Sequence, residues 1–248
     1  MSETFGTKNI IINRLLGRTY HNPLGRRAFY SAAKRAHIGP KSRVLDVGTG
    51  RGFGAVYLAN EFGCNVTGID ISKAMLSEAR HLKANLRRGK ARFIYSSLKE
   101  HHTARPFDLI CCFDVLGFVP DKRDSIAHLA GLLKNNGVMV TSDYFYKKKT
   151  PAVLKLVRAW GLRSLGSHDS LKRDIAAAGL KLLRYEDTTS LYMKHWQMIA
   201  ERLERKWNAI CEVVGDEAVV RYKKSIRTIL TATRSGDFGH VTITARKK

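Results

Sequence analysis

The chain has 248 residues, 44% hydrophobic and 26% charged; this is an ordinary globular balance, which excludes wholesale disorder and allows a substantial buried core. Forty-four Lys and Arg against 21 Asp and Glu leave a net charge of +23. Such a field draws polyanions, either nucleic acid or an anionic membrane surface, or serves solubility alone, and it says nothing about fold. No apolar run reaches the roughly 18 residues of a transmembrane helix, and Met1-Ser-Glu-Thr-Phe-Gly6 lacks the basic and apolar blocks of a secretory signal. Cys64, Cys111, Cys112 and Cys211 show neither CxxC spacing nor a disulfide framework, so free thiols in a reducing, cytoplasmic setting are expected.

Residues 5–37 have helical spacing, with an apolar stripe of Ile10, Ile11, Leu15 and Leu16 broken at Asn22-Pro23. Residues 43–47, a short apolar run ending in glycines, read as a buried parallel strand. A helix over 53–62 closes at Gly63. Residues 65–69 give a second strand, and Ser72 caps a helix through Met75, Leu76, Ala79 and Leu82. Residues 91–95 and 107–113 read as the third and fourth strands, and a helix near 125–133 leads through Asn135-Asn-Gly137 into a fifth at 138–141. Strands alternating with helices at this interval predict right-handed βαβ units and an α/β fold with a doubly wound, mostly parallel sheet.

After Asp143 the alternation stops. Lys147-Lys-Lys-Thr-Pro151 breaks it, and residues 151–165 form a basic amphipathic stretch in which Val153, Leu154, Val157 and Trp160 share one helical face. That makeup is typical of an interfacial helix, although the same residues also suit packing on the domain. A helix over 170–178 ends at Gly179, a strand follows at 180–185, and helical segments occupy 191–213 and 216–232. The last strand, at 239–245, is expected to run antiparallel.

The glycines of Asp46-Val-Gly48-Thr-Gly50-Arg-Gly52 follow a strand and open a helix. Glycine allows positive φ and close approach of a ligand to the backbone. A dinucleotide site normally reads GxGxxG and faces a pyrophosphate. Here an acid precedes the first glycine by two residues, which suits a cationic amino-acid ligand better. Asp70 ends the second strand, placed to accept ribose hydroxyls.

These blocks, Val44-Leu-Asp-Val-Gly-Thr-Gly-Arg-Gly52 followed by Val66-Thr-Gly-Ile-Asp-Ile-Ser72, resemble the class I S-adenosylmethionine-dependent methyltransferase family. Phe107-Asp-Leu-Ile110, Phe113-Asp-Val-Leu116 and Leu133-Lys-Asn-Asn-Gly-Val-Met139 match later family blocks in order and spacing. The resemblance implies a Rossmann-like fold that binds S-adenosylmethionine and releases S-adenosylhomocysteine. It implies that Asp46, Gly48, Thr49, Gly50 and Gly52 hold the methionine part, that Asp70 binds the ribose, and that Ile71 packs on the adenine. Ser97, Leu98 and Phe113 complete the expected cofactor set. The family usually places an acid near Ser96; here Ser96 and Ser97 either meet the adenine amino group or cap a helix. One domain spanning 1–248 is expected, with a helical lid at 1–40, a cofactor core at 41–145, a substrate cap at 146–235 and the final strand at 236–248.

More loosely, the later segment resembles the branch that methylates small amines and phosphobases. In the phosphoethanolamine enzymes a histidine follows the fourth strand; the aligned residue is Phe118, an aromatic that suits a cationic amine or an apolar acceptor. Tyr144, Tyr192 and His195 join Phe118 as expected acceptor-pocket residues, and His21 and His240 are further polar candidates. Tyr20 is the expected catalytic residue, because family N-terminal segments commonly close over the cofactor. His101-His102 lacks carboxylate-flanked metal spacing, and no metal is expected.

The acceptor is expected to be a small molecule or lipid headgroup, with peripheral contact to an anionic membrane. A nucleic-acid methyltransferase is the alternative that the charge suggests, but the fourth-strand block carries no Asn-Pro-Pro-Tyr-like sequence and no Cys-Pro pair for a flipped base. A silent binding protein on the same fold is a third reading, opposed by the intact Asp46, Gly48, Gly50 and Asp70. Oligomeric state and the choice among N-, O- and C-methylation are not readable.

Overall fold

The computed structural model describes residues 7–20 and 22–248, so His21 and the first six residues lie outside the described residues. Seven strands form one sheet in the order β3-β2-β1-β4-β5-β7-β6. They are β1 (Arg43–Val47), β2 (Asn65–Asp70), β3 (Lys90–Tyr95), β4 (Phe107–Phe113), β5 (Leu133–Tyr146), β6 (Leu180–Asp187) and β7 (Phe238–Lys247). The first five pair in parallel, whereas β7 inserts antiparallel between β5 and β6.

Side-chain alternation along the strands supplies two faces. On one, Val44, Val66 and Leu109 pack against α2 (Arg26–Arg35) and α3 (Phe53–Phe62) through Phe29, Ala55 and Leu58. On the other, Leu45, Val47, Ile69 and Ile110 meet α5 (Lys122–Gly131) and α7 (His168–Ala177) through Ile126, Leu129, Leu171 and Ile175. α4 (Lys73–Leu82) is capped by Ser72, whose hydroxyl accepts from the Met75 amide at 3.3 Å. A third core joins α1 (Thr7–Leu15), α6 (Pro151–Trp160), α8 (Thr189–Arg205), α9 (Trp207–Val214) and α10 (Asp216–Arg234) to Tyr144 and Phe238.

The structure departs from the sequence expectations in three places. The fifth strand runs from Leu133 to Tyr146, because the Asn135-Asn-Gly137 turn is absorbed as a bulge: Phe107 pairs with Leu133, but Leu109 pairs with Val138. The helical segment at 191–213 is two helices that meet at Lys206. The stripe on α6 is Val153, Leu156 and Trp160, all buried, while Leu154 is 42% exposed. Burying each such side chain contributes about 1.5–3 kcal/mol, so this face belongs to the protein core and is not presented to a lipid surface. No helix of the described residues is long and apolar enough to cross a membrane.

Candidate functional site

β1 and β2 end together, with Asp46 beside Gly68 in register. Asp46 is buried, and its Oδ2 accepts from the Thr49 hydroxyl at 2.7 Å. Burial pushes its carboxyl up to about 7; the Thr49 hydrogen bond opposes this and the Asp70 charge adds to it. Gly48 and Gly50 hold φ of 66° and 54°, in the left-handed region that favours glycine. A Cβ at Gly48 would lie 2.3 Å from Val115 Cγ2, whereas one at Gly50 meets nothing closer than 4.0 Å. The turn is therefore locked from below and open above. Asp70 Oδ2 accepts from the Gly50 amide at 2.8 Å and Oδ1 from the Ser72 amide at 2.9 Å. Burial raises the Asp70 carboxyl, and these backbone donors oppose the rise. Ile71, next along, is 57% exposed.

Other sequence-singled residues fall on either side of this rim. Ser97 donates its hydroxyl to Glu100 at 2.7 Å and accepts the Glu100 amide at 3.3 Å, so its side chain closes a local turn, the capping reading of this position. Leu98 packs into the core with Val47 and Ile69. Phe113 ends β4 and meets Phe29 edge-on at 4.9 Å. Tyr20 sits between Phe29 and Phe53, with ring centroids at 5.8 and 6.1 Å. Burial pushes its phenol up to about 12, with Arg26 opposing; at neutral pH it is an O–H donor. Arg51 ties this segment to the glycine turn by donating to the Arg18 carbonyl at 3.3 Å and pairing with Glu78 at 2.6 Å.

Directly after β4, Asp114 adopts φ 60°, uncommon for a residue with a side chain and typical of functional sites. It is buried, and its Oδ1 accepts from Ser142 Oγ at 2.6 Å and from His240 Nε2 at 2.8 Å. A carboxylate only accepts, so the His240 Nε2–H donates to Asp114, and His240 Nδ1 lies 2.6 Å from the Thr188 hydroxyl. The Tyr192 ring lies parallel to His240 at 4.9 Å. Tyr144 stacks on Phe238 at 5.7 Å, and Phe118 meets Tyr144 edge-on at 6.4 Å. Burial first, then the Asp114 charge, raises the phenols of Tyr144 and Tyr192 well above their ordinary value.

His195 is pushed down to about 3 by burial and by Arg18, so it is neutral at physiological pH. The Arg18 guanidinium donates to Asn13 at 3.2 Å and lies 4.4 Å over the Trp196 ring. Tyr144, Tyr192 and His195 thus lie within reach of the Asp114 charge, and Phe118 joins them through Tyr144. Asp114 and Ser142 entered the sequence reading only within quoted family blocks, without a role of their own, and Thr188 and Arg18 were not singled out. The one local signal was an acid directly after the apolar run 107–113.

A family model described as a methyltransferase domain matches residues 20–185 of the chain. The chain belongs to the class I S-adenosylmethionine-dependent methyltransferase family. The chain is 25% identical over 225 residues to a glycine/sarcosine/dimethylglycine N-methyltransferase of Actinopolyspora halophila, covering 86% of the chain and 39% of the relative. It is 29% identical over 171 residues to phosphoethanolamine N-methyltransferase 3 of Arabidopsis thaliana, covering 67% of the chain and 34% of that protein. The methyltransferase thus spans less than half the length of these two curated relatives. Its fold matches that of phosphoethanolamine N-methyltransferase 2 of Haemonchus contortus with a TM-score of 0.87 at 19% identity, over 99% of the chain and 59% of that structure.

The relay makes a stability prediction. Thr188→Val leaves the buried His240 Nδ1 without its hydrogen-bond partner, which costs about 1–3 kcal/mol. Urea unfolding of this methyltransferase should show a lower midpoint at unchanged slope. A midpoint equal to wild type would contradict the relay geometry.

Proposed function

We propose that this methyltransferase moves the methyl group of S-adenosylmethionine to the nitrogen of a small amine that also carries an anionic group, as an amino acid or a phosphobase does. The observation that carries this reading is the buried Asp114 carboxylate beside the glycine turn, with the Arg18 charge acting on the same tyrosines. The carboxylate suits the ammonium end of the acceptor and the guanidinium its acid end. The relatives named for glycine, sarcosine and phosphoethanolamine methylation support it. Phe118 offers no proton-accepting group, which favours acceptors that need no imidazole at this position.

The residues of the rim fit the cofactor. Asp46, a buried carboxylate raised to about 7, gains an ionic partner in the methionine ammonium. The turn formed by Gly48, Thr49, Gly50 and Gly52, open at Gly50, admits the methionine chain. Asp70 exchanges its backbone donors for, or shares them with, the ribose hydroxyls, and exposed Ile71 covers the adenine, with Leu98 contributing backbone and Phe113 the strand end. When bound, the cofactor supplies a sulfonium methyl. The chain then aligns the acceptor: Asp114 takes the proton that the ammonium must shed and a hydrogen bond from the amine that results, whose lone pair is turned inward, while Tyr144, Tyr192 and Phe118 exclude water. Tyr20 closes the rim through its O–H, and the N-terminal segment, fastened by Arg51, acts as the lid. With the α6 stripe turned inward, contact with an anionic membrane would rest on charge alone, through Lys147, Lys148 and Lys149.

Two outcomes are expected. An ammonium partner favours ionised Asp46, so cofactor-product affinity should be full just above pH 7 and fall as pH drops below it, approaching tenfold per unit. Calorimetry at pH 6 should show release of nearly one proton on binding, and a flat affinity from pH 6 to 7.5 would remove Asp46 from the ammonium. In a labelled-methyl assay, glycine, sarcosine or phosphoethanolamine should accept label, and Asp114→Asn should lower kcat/KM at least a hundredfold with cofactor affinity unchanged. Labelling of none of the three, or an active Asp114→Asn, would refute the acceptor reading.

A further inference from the structure

The opposite end of the sheet carries a second feature, remote from the strand ends that hold Asp46 and Asp70. In register, Arg43 pairs with Asn65 and Asn65 with Lys90, and Thr67 pairs with Arg92. Cross-strand partners share a face, so Arg43, Asn65, Thr67, Lys90 and Arg92 all lie on the face whose C-terminal half is the apolar core of Leu45, Val47, Ile69 and Ile94. A doubly wound sheet normally covers both faces with helices and is apolar there. Here the β3–β4 connection, residues 96–106, contains no helix, and the corner it crosses is polar and open.

That corner is a cleft of about 800 Å³, lined by Arg43, Lys83, Lys90, Arg92 and Arg105 and by no carboxylate among the described residues. Arg92 Nε donates to Thr67 Oγ1 at 2.9 Å, which fixes its guanidinium over β2. Asp108, the acid that acts on Arg43, accepts from the Arg43 amide at 2.7 Å and from Lys134 at 2.6 Å. Burial, then the charges of Arg92 and Arg105, hold the Arg43 guanidinium below its ordinary value, with Asp108 opposing. Like charges are thus gathered in a concave site without an internal counter-ion.

We propose that this cleft binds a small phosphorylated anion bearing two or more phosphate charges. The volume falls in the range of roughly 300–1,000 Å³ common for small-ligand sites, and the fork of a guanidinium matches phosphate oxygens two at a time. A bilayer meets a protein on a broad face, which a recessed corner does not offer. The site is independent of the acceptor chemistry, and it gives part of the basic charge a ligand.

Calorimetry of the full chain with inorganic tripolyphosphate at 0.15 M NaCl tests it. One saturable site is expected. The triple variant Lys83→Ala, Lys90→Ala, Arg105→Ala alters exposed side chains only, and should bind at least tenfold more weakly while keeping wild-type S-adenosylhomocysteine affinity. The matched variant Lys147→Ala, Lys148→Ala, Lys149→Ala removes the same charge elsewhere and should bind within twofold of wild type. Absence of saturation would overturn the proposal, as would an equal loss in both variants. A single-stranded RNA oligomer that binds more than tenfold tighter than tripolyphosphate through the same three residues would also overturn it, in favour of a nucleic-acid surface.

Discussion

The Asp114 carboxylate ties together side chains of three strands that the sheet already places side by side. Its backbone leaves β4 in the left-handed region, its amide donates to the Ser142 carbonyl at 3.1 Å, and its Oδ1 accepts from Ser142 on β5 and His240 on β7. His240 reaches Thr188 at the start of α8, so one buried carboxylate links the parallel core, the antiparallel strand and the helical cap. Val115, the next residue, fills the space beneath Gly48. A displacement of Asp114 would therefore be felt at the cofactor turn as well as in the cap.

A buried ion pair supports the same region. Lys122, at the start of α5, pairs with Asp143 on β5, and both are buried. Burial raises the Asp143 carboxyl, while Lys122 and the Tyr144 amide oppose the rise. Removing one partner of such a pair leaves an uncompensated charge and costs about 3–5 kcal/mol, so Asp143 reads as support for the strand that carries Ser142 and Tyr144. The N-terminal segment closes the other side: Asn13 accepts from Arg18 and from Tyr222 at 2.7 Å, and Arg202 and Lys206 donate to the Leu16 and Leu15 carbonyls.

Much of this was legible in the sequence wherever the signal is local. The turn from Asp46 to Gly52 and the acid at Asp70 each sit within one strand–turn–helix unit, and strand–helix alternation led to the sheet. The Asp114–His240 contact spans 126 residues. It depends on β7 inserting beside β5, which no local periodicity encodes. On α6 only Leu154 departs from the expected stripe: Val153, Leu156, Val157 and Trp160 follow the i, i+3, i+4, i+7 spacing of one face, which Leu154 leaves. Ser97 was left between adenine contact and capping because both uses need the same hydroxyl; Glu100, three residues on, takes it.

The central claim is that the acceptor nitrogen and the methyl donor meet at Asp114. A crystal structure with S-adenosylhomocysteine and sarcosine tests it most directly. The account predicts ribose hydroxyls on Asp70, the homocysteine amine near Asp46, the sulfur facing Asp114, and the sarcosine nitrogen within hydrogen-bond distance of the Asp114 carboxylate. A cofactor seated away from the Gly48–Gly52 turn, or an acceptor nitrogen bound elsewhere with Asp114 still sealed by Ser142 and His240, would contradict it.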